Sequence, residues 1–234
     1  MTNRTLSSWS LLVVLTVPTV LISQTRNSPY ANMPGLSGAD ALDNLAAKAI
    51  TDGDVHEAFW LQEEALAIAT RRLAPTDFQR AKFLLHQAEY AFQLNLGDLS
   101  HALYQQAVAL YGTSHMDDLF IPALLSLAQI DEGRGKLEEA RTLAERAVRE
   151  CDARCRGPLA GFSKQQAHEA LGSLLYRQGR FDDADRELDK AMQIAGPSPF
   201  TSAISNRRAD IRIARGQYEI AKQMLLKAPP ISRD

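Results

Sequence analysis

One phrase constrains the fold of this chain more than any other feature, because it is said five times. It reads Gly53-Asp54-Val55-His56-Glu57-Ala58, then Gly97-Asp98-Leu99-Ser100-His101-Ala102, Gly135-Lys136-Leu137-Glu138-Glu139-Ala140, Gly179-Arg180-Phe181-Asp182-Asp183-Ala184 and Gly216-Gln217-Tyr218-Glu219-Ile220-Ala221. The pattern is Gly, any residue, apolar, two mostly polar residues, Ala. The glycines are 44, 38, 44 and 37 residues apart, and a fixed phrase at such a period is the mark of stacked supersecondary units. Each glycine follows an apolar-periodic stretch, where a helix ends and a left-handed residue turns the chain. The alanine lies one turn into the next helix, where a small side chain lets two helix axes approach closely.

Composition agrees with packed helices. Aromatic residues make up only 7% of the 234 residues while Ala and Leu abound, which favours helix over sheet. A formal net charge of -2 gives no bulk reason for nucleic acid or an anionic membrane as partner.

Residues 1–23 read as an export signal, with Arg4 in a charged start, an apolar stretch densest over Leu11–Ile22, and Ser23 as a small residue at its end. The stretch is short for a spanning helix, which needs about 20 apolar residues, and Pro18 interrupts it. The cut site lacks an A-x-A signature, so cleaved signal and retained anchor both stand; a buried strand is a third reading without a sheet partner. Either of the first two places the rest of the chain outside the cytoplasm: exported, periplasmic or extracytoplasmic, and held at the inner membrane if the anchor is kept. Residues 24–38 read as a polar spacer rich in Ser, Asn, Pro and Gly, residues 39–228 as the repeat body, and residues 229–234 as a short tail.

Apolar residues at helical spacing flank every phrase. The first unit has Leu42, Leu45, Ala46 and Ala49, then Ala58, Leu61, Ala65 and Leu66. The third has Leu124, Leu127 and Ala128, then Leu137, Ala140, Ala144 and Ala147. The fourth has Leu171, Gly172 and Leu175, then Phe181, Ala184, Leu188 and Ala191, closed by Gly196-Pro197. The second unit is out of step: its first helix is displaced by one or two residues, its second holds Ala102, Leu103, Ala109 and Leu110, and Gln106 stands where a bulky apolar residue belongs.

This pattern resembles the tetratricopeptide repeat in a longer-period form, most fully in the fourth unit, through Leu171-Gly172, Phe181, Ala184, Leu188, Ala191 and Gly196-Pro197. The resemblance covers residues 39–228. It implies an all-α fold, a right-handed α-solenoid of about five helix-turn-helix units, acting as a non-catalytic scaffold for a protein or peptide. It also implies that first helices line a concave wall, here carrying Gln87, Asn95, Gln129, Glu132, Gln166, Glu169, Tyr176, Arg177, Asn206 and Asp210, with Tyr176 and Arg177 as anchors. A membrane-anchored assembly factor forming a homo-oligomer through its C-terminal repeat is the alternative. In the fifth unit Arg208 and Arg212 depart from the pattern. With Arg207 and Arg215 they form either a polar cap or an anion-seeking face, on a first helix that is degenerate or rotated.

Chemistry-bearing motifs are otherwise absent from the sequence, and the expectation is no enzyme, no cofactor and no metal. His168-Glu169 begins like a zinc-protease helix, but Gly172 stands where the second histidine is required. His86 and Glu89 form a single surface pair without a third ligand. His56 and His101 sit in the phrase at positions expected to face solvent. No basic stripe with interleaved aromatics points to nucleic acid. Cys151 and Cys155 are the only thiols. In an oxidising compartment they would pair, and four residues apart on a regular helix the geometry is awkward, so a bridge predicts that the helix has ended by about Asp152.

Overall fold

A computed structural model describes residues 28–111, 119–196 and 201–227. The expectations for residues 1–23 and 229–234 lie outside them. All regular structure among the described residues is helical. A 3-10 turn, Pro29–Asn32, precedes α1 (Ser37–Thr51), α2 (Val55–Arg72), α3 (Arg80–Gln93), α4 (Gly97–Tyr111), α5 (Phe120–Gly133), α6 (Leu137–Arg154), α7 (Ala160–Arg177), α8 (Phe181–Ala195), α9 (Ser202–Ala214) and α10 (Tyr218–Lys227). Each helix packs on the next in sequence, and α7 also touches α5 and α9, so the first helices of the last three units lie side by side. The architecture is an α-solenoid of five helix pairs.

The turn inside each unit has one geometry. Gly53, Gly135, Gly179 and Gly216 take φ of 71° to 85°. The N–H of the following residue reaches back to a carbonyl five residues earlier, as in Asp54 to Ala49, Lys136 to Asp131, Arg180 to Leu175 and Gln217 to Arg212, at 2.8–2.9 Å.

The second unit obeys the same rule two residues earlier than the phrase indicates. Its left-handed residue is Asn95, with φ 59°, and Leu96 N–H donates to the Ala91 carbonyl at 2.8 Å. Asparagine tolerates this conformation better than other side chains. Gly97 merely opens α4. The turn residues are therefore 42, 40, 44 and 37 apart. This corrects the apparent distortion of the unit: Ser100, not Ala102, is the small residue of its second helix, and Tyr104, not Gln106, fills the bulky site. Ser100 is fully buried and its hydroxyl donates to the Ala88 carbonyl at 2.7 Å.

Counting from the turn residue makes the packing uniform. Five residues after it stand Ala58, Ser100, Ala140, Ala184 and Ala221; seven before it stand Ala46, Ala88, Ala128, Gly172 and Ala209. All are buried. These small residues let the two helices of a unit close on each other. In the fourth unit the approach is tightest, since a Cβ on Gly172 would lie 2.7 Å from Leu188 Cγ and 3.2 Å from the Ala184 carbonyl oxygen. The fifth unit keeps this register, with Ala209 and Ile211 buried, so α9 is not rotated.

At the N-terminal end the segment expected as a spacer contributes to the body. Tyr30 and Leu36 pack on the cluster of Ala39, Leu42, Ile68 and Phe83, and a Cβ on Gly38 would collide with the Tyr30 carbonyl. At the other boundary, α6 continues to Arg154 rather than ending by Asp152. Cys155, with φ -60° and ψ 120°, leaves the helix as its cap while its N–H still donates to the Cys151 carbonyl. That departure brings the two sulfurs together with Cα atoms 4.6 Å apart, and Cys151 and Cys155 are joined as a disulfide.

Candidate functional site

The residues expected on the wall fall into three groups. Gln129 and Glu132 on α5, Gln166, Glu169 and Arg177 on α7, and Asn206 and Asp210 on α9 lie on the first helices that run side by side. Arg177 bonds Glu132 at 2.7 Å and so bridges α7 to α5. Burial pushes the Glu169 carboxyl above its ordinary range, with the Arg207 charge on α9 opposing that rise. Gln129 and Asp210 are exposed. Tyr176 stands apart: its ring packs on Phe181 at 5.7 Å, at the corner of its own unit.

Two of the ten residues do not belong to the wall. Gln87 is only 3% exposed. It occupies, eight residues before the turn, the site that Leu127 and Leu171 fill in later units, so it faces the core and its Oε1 accepts no hydrogen bond among the described residues. Asn95 is the turn residue itself.

The first helices α1 and α3 carry a cluster that the sequence reading missed. Lys82 on α3 pairs with Asp40 at 2.8 Å and with Asp43 at 3.2 Å, both on α1, and His86 meets Asp43 at 2.6 Å. Burial would raise the Asp43 carboxyl, but the hydrogen bonds and charges of His86 and Lys82 outweigh it and hold the group below its usual range. Nearby Tyr90 is pushed up to about 12 by its burial and by the charge of Asp43. The signal was available: Asp43 and Glu169 both stand ten residues before a turn glycine, Gly53 and Gly179.

His101 is a further correction. It does not face solvent but meets Asp131 on α5 at 2.9 Å, with both side chains largely buried. His168 is likewise buried and meets Glu187 at 2.7 Å. Three of the four arginines of the fifth unit, Arg208, Arg212 and Arg215, are neither cap nor anion-seeking face. Arg208 pairs with Asp185 at 2.9 Å and Asp189 at 2.6 Å, Arg212 with Asp185 at 2.5 Å, and Arg215 with Asp182. They form the joint between α8 and α9. Among the described residues no group of histidine, cysteine and carboxylate side chains is placed to hold a metal, and no helix is long and apolar enough to cross a membrane.

A tetratricopeptide repeat family profile matches residues 169–195, the second half of α7 with α8. The fold resembles that of tetratricopeptide-repeat solenoids. It is similar to the kinesin-light-chain TPR-like repeats of Podosopora anserina, at 20% identity and a TM-score of 0.69, covering 84% of this chain and 95% of that one. BtubC of P. vanneervenii aligns at 18% identity and a TM-score of 0.69, over 82% of this chain and 79% of that one. MamA of Desulfovibrio magneticus RS-1 aligns at 12% identity and a TM-score of 0.62, over 81% and 92%. At these identities the likeness is one of fold. Among curated protein sequences, none matches this chain.

Proposed function

We propose that the solenoid is a non-catalytic scaffold that binds a protein or an extended peptide along the wall of its first helices. One observation carries the reading: the first helices α5 and α9, on either side of α7, present an exposed amide and an exposed carboxylate, Gln129 and Asp210, beside the Arg177–Glu132 ion pair that bridges α7 to α5. Amides and carboxylates at regular intervals suit hydrogen bonding to a peptide backbone, and the bridging pair holds its interval fixed, which lowers the cost of ordering on binding. Export through residues 1–23 belongs to this reading, and the paired cysteines are in keeping with an oxidising compartment.

The test is selection of peptides from a random display library against the full chain. Gln129→Ala/Asp210→Ala is expected to weaken the selected peptides at least tenfold, about 1.4 kcal/mol, with an unchanged helical circular dichroism spectrum. Peptides that bind wild type and variant equally would remove the wall as the binding surface. Sequencing the N-terminus of protein recovered from its native host tests export separately: a start near Gln24 is expected, and a start at Met1 would count against a cleaved signal.

A further inference from the structure

Among the described residues, α10 is left open where the second helix of every earlier unit is covered. Nine residues after the turn residue stand Gln62, Tyr104, Ala144, Leu188 and Leu225. The first four are 0–7% exposed, and Leu225 is 45% exposed beside Leu226 at 71%. The earlier residues are covered by the next unit's first helix: Gln62 donates to the Phe83 carbonyl of α3, and Leu188 shares a core with Ile204 and Ile211 of α9. Terminal repeats of a solenoid ordinarily present a polar outer face. The N-terminal end meets that need with the Tyr30 and Leu36 segment, whereas α10 presents leucines.

The charges that flank this position name the occupant. In three joints an acid three residues after the turn takes a donor from the residue just before the next turn: Asp98 from Arg134 at 2.6 Å, Glu138 from Gln178 at 2.9 Å, and Asp182 from Arg215. In two joints the residue six after the turn pairs with the residue four before the next turn, His101 with Asp131 and Asp185 with Arg212. On α10 these two positions are Glu219 and Lys222, both exposed, and nothing among the described residues pairs with either.

We propose that α10 docks an amphipathic helix of a partner protein, held as α9 is held on α8. The helix would end in an acid that meets Lys222 and, three residues later, a base that meets Glu219. Asp131 and Arg134 at the end of α5 show this spacing at work within the chain. A second copy stacked head-to-tail does not fit. Its α1 would bring Ala49 to Lys222 and Asp52 to Glu219, setting carboxylate against carboxylate. This surface is separate from the first-helix wall.

The probe is a fluorescent amphipathic helical peptide of about five turns, about 18 residues, ending in Glu-x-x-Arg, with a second peptide ending in Arg-x-x-Glu. Both are titrated against the full chain by anisotropy. The first is expected to bind at least tenfold tighter. Glu219→Lys/Lys222→Glu is expected to reverse the preference, and Leu225→Asp/Leu226→Asp to abolish binding of both peptides. All four side chains are exposed, so helical circular dichroism should be unchanged. Equal affinities, no reversal, or no binding of either peptide would overturn the proposal. So would sedimentation showing a dimer that Leu226→Asp dissociates, which would assign the face to a second copy. Binding lost in Gln129→Ala/Asp210→Ala, and kept in the α10 variants, would place the peptide on the wall instead.

Discussion

Two joints of the solenoid use the same repeat positions for opposite chemistry. Between α4 and α5, the site eight residues before the turn is a buried leucine, Leu127, and the flanking pair is His101 with Asp131. Between α8 and α9 the same sites hold Arg208 and the pair Asp185 with Arg212, the carboxylate now on the other side of the joint. The backbone register is unchanged, because it is set by the left-handed turn residue and by the small residues that face each other within a unit. Joint chemistry is therefore free to vary from apolar to ionic, as long as each buried charge keeps a partner. The two joints then differ in what disturbs them: the first responds to volume and unpaired polarity, the second to screening.

The largest expected effect comes from imposing the second chemistry on the first. Leu127→Arg would place a guanidinium where Leu127 is 4% exposed with no pair of aspartates to receive it. A loss of about 3–5 kcal/mol follows from an uncompensated buried charge, to be read by urea denaturation. A variant as stable as wild type would show that the joint remodels freely.

Next in size is removal of the shared acid of the ionic joint. Asp185→Ala leaves Arg212 without its partner and Arg208 with Asp189 alone. With these side chains partly screened by solvent, the expected loss is about 2 kcal/mol, below the range for a fully buried pair. Hydrogen exchange should show it in α9 and α10 and spare α1 to α6. Uniform loss of protection would mean that the joints are not independent.

Salt should separate the two joints without mutation. Raising ionic strength from about 0.1 M to about 1 M shortens the screening length from roughly 10 to 3 Å. Amides of α9 are expected to lose protection while those of α5 hold theirs. Equal responses would contradict the ionic character of the joint.

Acid sharpens the contrast further. Asp43 and Glu187 are held below their ordinary ranges, because hydrogen bonds and charges from Lys82 and His86, and from Lys190 and His168, outweigh burial. Their stabilisation is present above the unfolded carboxylate values and is lost as pH falls through the lowered folded values. Asp43→Asn is therefore expected to flatten the acid limb of stability against pH, while Leu188→Val leaves its shape alone. An unchanged limb in the Asp43 variant would remove that pair from the account.

The smallest effect tests the turn itself. Asn95→Gly relieves a non-glycine residue at φ 59°, and an offset from added unfolded-state freedom leaves a gain of a few tenths of a kcal/mol, readable as a small rise in Tm. Gly97→Ala, at the residue the phrase singles out, should cost little, since a Cβ there meets nothing within 4 Å.

The sequence by itself determined the all-helical fold, the number of units and the helix-turn-helix period. These follow from local chemistry: helical apolar spacing, a residue that accepts positive φ, and a small residue one turn later, each legible in a short window. It also put Gln129, Glu132, Glu169, Arg177 and Asp210 on first helices, where the structure has them. The second unit misled because Gly97-Asp98-Leu99 imitates the phrase two residues after Asn95, and a two-residue slip on a helix turns the face by more than half a circle. Gln87 moved from wall to core for that reason. What only the tertiary structure decided is which charge meets which. The partners of Arg208, Arg212, Lys82 and His101 lie 19 to 42 residues away in sequence. A distant partner leaves no periodic trace in either helix, so the buried joint, the ion cluster between α1 and α3 and the exposed face of α10 become visible only once the units are stacked.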